Sequence, residues 1–164
     1  MHPAARRARE HMAALRAQGL SNVAFTEELE RYQREHHALA VAVEGGDVGA
    51  VRRALAAGAD PHSVDVLGSP VLHIAAAMGQ VEIMRHLLES GVDVDVRDDF
   101  LNTALILAAN AGERAAVELL LAQGADPTLR NDLGESAEDR ADRPAADPGL
   151  VPMLREAEAR RTDT

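Results

Sequence analysis

The 164-residue chain contains no cysteine, which excludes thiol nucleophiles, disulfides and thiolate metal sites. Aromatic side chains make up only 2% of it, while apolar residues, chiefly Ala, Leu and Val, reach 46%. That balance suits thin, closely stacked helices better than a thick globular core. Long apolar runs are missing as well. Arg6, Arg7, Arg9 and Arg16 stand near the N-terminus, but nothing after them is apolar enough to act as a signal segment or to span a bilayer. The expectation is a soluble, cytoplasmic protein with no membrane role.

Positive charge is in the minority. Seventeen Lys and Arg against 27 Asp and Glu give a formal net charge of -10, a field that opposes DNA, RNA and anionic membranes. A neutral or basic protein is the expected partner. Catalytic signatures are equally scarce, with no H-E-x-x-H, G-x-S-x-G or P-loop pattern. Of the seven His, the adjacent pair His36 and His37 would point about 100° apart on a helix, and His62, His73 and His86 follow no zinc spacing. Asp93, Asp95, Asp98 and Asp99 lack the order and closing Glu of a calcium loop. No catalytic residue, cofactor or metal is expected.

What the chain does have is a period. Gly46, Gly79 and Gly112 are 33 residues apart, as are Gly58, Gly91 and Gly124, each of the latter followed two residues on by Asp60, Asp93 or Asp126. Apolar positions keep the register: Leu39, Leu72, Leu105; Ala42, Ala75, Ala108; Val51, Met84, Val117. Within one frame Leu72, Ala75 and Ala76 have helical spacing, Gly79 breaks the run, and Ile83, Met84, Leu87 and Leu88 resume it before Gly91. Each unit therefore reads helix, turn, helix, extended loop. One unit cannot bury both of its apolar stripes alone, so neighbouring units must stack into a shared core.

The segment from Asp65 to Arg97 resembles an ankyrin repeat, matching its pattern at Asp65, Gly68, Leu72, His73, Ala75, Ala76, Gly79, Leu87, Leu88, Gly91 and Asp93. Asp98 to Arg130 is the next copy, carried by Asp98, Thr103, Leu105, Ala108, Ala109, Gly112, Leu120, Leu121, Gly124, Ala125 and Asp126. The resemblance implies an all-α solenoid of stacked helix-turn-helix units joined by hairpins. It divides the chain into an N-terminal helical cap (1–37), a partial first repeat (38–64), full repeats at 65–97 and 98–130, and a degenerate capping repeat with its tail (131–164). In the cap, Pro3–Gln18 and Glu27–His37 read as helices, the second running on into the first repeat. The Ala-, Arg- and Asp-rich usage suggests a high-GC bacterial source.

Three departures stand out. Pro70-Val71-Leu72-His73 replaces the usual T-P-L-H, which reads as Ser69 capping a helix with Pro70 at its first position. Ile106 stands where the family has His, and Leu101 where it has the hairpin Gly, so that hairpin is expected to be altered. The His73 imidazole is expected to bond between neighbouring loops, as the resemblance implies.

Ankyrin repeats bind proteins through their hairpin tips and the concave face of their first helices. By position, the resemblance places partner contacts at Val64, Val66, Leu67, Ser69 and Met78, then at Arg97, Asp99, Phe100, Leu101, Asn102 and Asn110, and finally at Arg130, Asp132, Leu133 and Glu135. Val66, Leu67, Phe100, Leu101 and Leu133 would put unusual apolar surface in water unless a partner covers it. Acidic neighbours suit a partner with a basic rim. The expected function is non-catalytic protein binding by a chain that is monomeric when free. Dedicated inhibition of one enzyme or toxin, self-association through the tips, and a metal-dependent enzyme are the competing readings.

Overall fold

The computed structural model describes residues 13–14, 17, 27, 38–65, 68–142 and 147–162. The expected N-terminal cap lies outside the described residues except for Ala13, Ala14, Ala17 and Glu27, which are helical and exposed. From residue 38 onward helices come in pairs. They are α1 (38–44) with α2 (Val48–Ala56), α3 (Val71–Ala77) with α4 (Val81–Glu89), α5 (Ala104–Ala111) with α6 (Arg114–Ala122), and α7 (Ala137–Ala141) with α8 (Leu150–Thr162). First helices stack on first helices, α3 on α5 and α5 on α7, and second helices on second helices, α2, α4, α6 and α8 in turn. The result is an all-α solenoid two helix rows deep.

The stacking follows from where the small and branched residues fall. Ala75, Ala76, Ala108 and Ala109 are fully buried, and their short side chains let the inner row pack closely. Leu72, Ile83, Leu87, Leu105 and Leu120 fill the space between the rows at 0–1% exposure, each contributing about 2 kcal/mol by leaving water. Buried residues run as one continuous cluster from Leu39 to Leu154. Since each unit touches only its neighbours, the core is shared along its length and no unit owns it.

Helix starts show how local chemistry fixes the period. Asp47 caps α2, its Oδ1 accepting from the Ala50 N–H at 2.8 Å, and Thr103 caps α5, its Oγ1 accepting from Ile106 at 3.3 Å. Ser136 and Asp139 form a reciprocal capping box on α7. α3 is the exception and corrects the expectation for Ser69. Pro70 itself is the N-cap, the helix begins at Val71, and no side chain caps it. Proline takes the place that Thr103 and Ser136 hold in the next repeats, and it has no oxygen to offer an orphan N–H.

The Asp residues of the Gly-x-Asp triplets organise the loops. Asp60, Asp93 and Asp126 each accept from the N–H two residues on, at 2.9–3.0 Å. A second bond joins repeats, from the Asp126 N–H to Asp95 Oδ1 at 2.9 Å. Burial, together with the nearby Asp126 and Asp93 charges, lifts the Asp95 carboxyl above its ordinary pKa.

Candidate hairpin-tip interface

Hairpins project from the starts of the inner helices at 98–102 and 131–135, and the described residues Asp65, Gly68 and Ser69 make the same closing bonds ahead of α3. The N–H of the first residue donates to the carbonyl of the fifth: Asp65 to Ser69 at 2.9 Å, Asp98 to Asn102 at 3.0 Å, Asn131 to Glu135 at 3.0 Å. The side chain of that first residue then reaches across the loop. Asp98 Oδ1 accepts from the Phe100 and Asn102 N–H groups at 2.9 and 2.8 Å. Asn131 Oδ1 accepts from Leu133 and Glu135 at 3.0 and 2.9 Å. The tips are thus held from inside by a carboxylate or an amide, which leaves their outer residues facing solvent.

The turn needs a left-handed residue at its fourth position. Gly68 and Gly134 supply it at φ 86° and 77°, and Leu101 adopts φ 59° between them. Leu101 is the one non-glycine residue with positive φ among the described residues. The expected alteration of this hairpin is therefore one of composition alone. The Leu101 N–H still donates to Asp98 O at 3.1 Å, as Gly134 does to Asn131 O at 3.0 Å, and the shape is kept at a steric cost of roughly 1–2 kcal/mol.

Adjacent hairpins are tied to each other. His73 Nε2 donates to the Asn102 carbonyl at 2.9 Å, the bond between neighbouring loops that the sequence suggested. One repeat later Ile106 is buried at 1% exposure and offers no imidazole. Two other bonds make the junction there: Asn131 Nδ2 to Asn102 Oδ1 at 3.1 Å, and the Asp132 N–H to the Phe100 carbonyl at 3.0 Å.

This geometry sorts the predicted contact residues. Phe100, Leu101 and Leu133 are 64, 43 and 71% exposed, Met78 at the C-cap of α3 is 52% exposed, and Asp99, Asp132 and Asn110 also face solvent. Val64 and Arg97 are half-buried in the stems, bridged to Pro70 and Thr103. Ser69 and Asn102 are also half-buried, and all the polar groups of Asn102 serve the hairpins. Arg130 is exposed, but its guanidinium bonds Gly134 O at 2.7 Å and Asp139 at 2.8 Å, and Glu135 pairs with Arg140. Val66 and Leu67 lie outside the described residues. Arg130 apart, the part of the row exposed among the described residues is narrower than the sequence row: two apolar tips, their two flanking Asp residues, and Met78 and Asn110 at the ends of the inner helices.

The expected row of contacts did not include Val41, which is 49% exposed on α1. The 33-residue register links it to Ile74 and Leu107, both only half-buried, and was the signal available for it.

Nothing at the tips assembles reactive groups. Among the described residues no three His, Asp or Glu side chains gather where they could hold a metal ion, and no described helix is long and apolar enough to cross a membrane. The Asp139 carboxyl is held below its ordinary pKa by the Ser136 N–H and hydroxyl, with the Arg130 guanidinium adding to the effect. That carboxylate anchors a helix start.

The family model for ankyrin repeats, in three copies, matches residues 39–131, more than half of the chain. No curated protein matches it.

Proposed function

The chain belongs to the ankyrin-repeat family, whose members are generally protein-protein interaction modules, and from that premise we propose that it binds a protein partner through its last two hairpin tips and the exposed ends of its inner helices. One observation carries the reading: Phe100, Leu101 and Leu133, three of the five large apolar side chains exposed among the described residues, lie on two adjacent tips joined by a backbone hydrogen bond. Apolar anchors on a preorganised backbone lose little entropy on docking. Asp99 and Asp132 beside them favour a partner whose apolar centre has a basic rim.

The action is non-catalytic: the tips hold or occlude a partner and change no bond. The test is an affinity pulldown in which wild type is compared with a Phe100→Glu, Leu133→Glu double variant of matched unfolding midpoint. A partner held by wild type and weakened about 30-fold or more by the variant fits an anchor worth about 2 kcal/mol. Equal retention by both proteins would move the interface off the tips.

A further inference from the structure

The two helix rows differ in what they offer. Two grooves open along the outer row, one at each end, and their charges are disposed differently. The groove between α6 and α8 is lined by Glu118, Glu156, Arg160 and Arg161, but its cations are already used. Arg161 pairs with Asp126 at 3.2 Å and Arg160 with Glu156 at 2.6 Å. Every described arginine from residue 114 onward is ion-paired in the same way.

Between α2 and α4 the opposite holds. This groove is lined by Arg52, Arg53, His86, Glu89, Ser90 and an apolar floor of Leu55 and Ala56. No ion pair joins Arg52, Arg53 or Arg85 to any described residue. The repeat places Arg52 in register with Arg85 and Arg53 with His86, so two neighbouring helices each present an arginine at the same place followed by Arg53 or His86, a pattern that ends at Glu118 and Leu119 in the following repeat. α2 carries no acidic residue.

A glycine deepens the groove. Gly49 lies in the first turn of α2, where Gly costs about 1 kcal/mol relative to Ala. A Cβ there would sit 3.3 Å from Arg53 Nη1 and 3.3 Å from Asp47 Oδ1, so its absence leaves room for the guanidinium. Of the carboxylates nearby, Asp47 caps α2, and Glu89, exposed at the groove's edge, lies 3.6 Å from His86 Nδ1.

We propose that the groove between α2 and α4 is an oxyanion site that takes a phosphate group, free or esterified, beside His86 and within reach of Arg52 and Arg53. These two arginines leave the helix about 100° apart but both line the groove at the ends of long side chains. Guanidinium planes match the tetrahedral oxygens bidentately, and in a chain of net charge -10 cations without an ionic partner among the described residues concentrate the available attraction in one place. The site is separate from the hairpin tips and stands or falls without them.

The test is a titration of isotopically labelled full-length protein with pyrophosphate at low ionic strength, followed by amide and arginine side-chain NMR signals. Saturable shifts confined to Gly49, Arg52, Arg53, His86 and Ser90 are expected, weakening with added salt. They should weaken about tenfold or more in an Arg52→Gln, Arg53→Gln variant and stay unchanged in Phe100→Glu. Both arginines are exposed, so the variant should keep the wild-type unfolding midpoint. Linear shifts spread over the whole surface, or equal binding by the double variant, would overturn the site. Citrate binding as tightly as pyrophosphate would overturn the assignment to phosphate.

Discussion

The hairpins at 98–102 and 131–135 are built on one plan with different parts. Both close a turn on the same backbone bonds, and both hold it with the side chain of their first residue, Asp98 in one and Asn131 in the other. At the fourth position the fold demands a left-handed residue, met by Gly134 at φ 77° in one hairpin and by Leu101 at φ 59° in the other. The comparison shows that backbone geometry here is set by the repeat and its caps. A residue ill suited to the turn is carried along when the cap and the stacked neighbours over-determine the loop. What the strained hairpin gains is exposed apolar surface next to Phe100, and the relaxed one presents Leu133 without that cost.

Removing a cap should break the comparison most strongly. Asp98→Ala deletes the acceptor for two backbone N–H groups and for Asn102 Nδ2, and urea unfolding should show a loss of about 2 kcal/mol. Asp98→Asn should restore most of it, because Asn131 already does the same work with an amide. Exchanging the fourth residues sharpens the contrast. Leu101→Gly should stabilise the protein by about 1 kcal/mol, steric relief less the extra freedom of Gly in the unfolded chain. Gly134→Leu should destabilise it by a similar amount, and equal, near-zero effects at both sites would show that the φ difference carries no strain.

The smallest effect separates the helices that follow the two tips. α5 has a one-way cap, Thr103 to Ile106, whereas α7 has the reciprocal box of Ser136 and Asp139. The Asp139 carboxyl sits below its ordinary pKa in the folded protein. Its contribution is thus complete above the unfolded value near 4 and is lost as pH falls through the lower folded one. Since this side chain is half exposed, the amount is only about 0.5 kcal/mol after solvent screening. The stability difference between wild type and Asp139→Asn should be present at pH 7 and shrink as pH falls below the unfolded value near 4.

Much of this was legible in the residues. The 33-residue register carried the stacking, the buried alanines and the loop aspartates, because each depends on chemistry repeated within a unit. Phe100 and Leu133 could be read as exposed from their places at the tips. The roles of Asn102, Arg130 and Glu135 could not, since their partners are chosen by which groups the folded loops and stacked hairpins bring within reach. Asn102 reads as one more polar residue in register with Ser69 and Glu135, and only the positions of His73 and Asn131, each 29 residues away along the chain, show that it is fully occupied. The N-cap at Pro70 was misplaced by one residue for a local reason, since Ser69 is a good capping residue that the hairpin stem has already claimed. That Arg52, Arg53 and Arg85 have no ion-pair partner among the described residues is a property of neighbours as well, visible only once the ionic partners of the later arginines were in place.

The bond from the Asp132 N–H to the Phe100 carbonyl does more than fasten two loops. It makes the gap between the apolar anchors a fixed graduation, set by the thickness of one repeat and insensitive to loop sequence. A surface marked off in this way can be lengthened by duplicating a unit, which adds another whole division, but substitutions within the tips change only what each mark carries. On the proposed reading, recognition by such a molecule resembles measurement against a graduated scale, and the partner that fits is the one whose contact points fall on the marks.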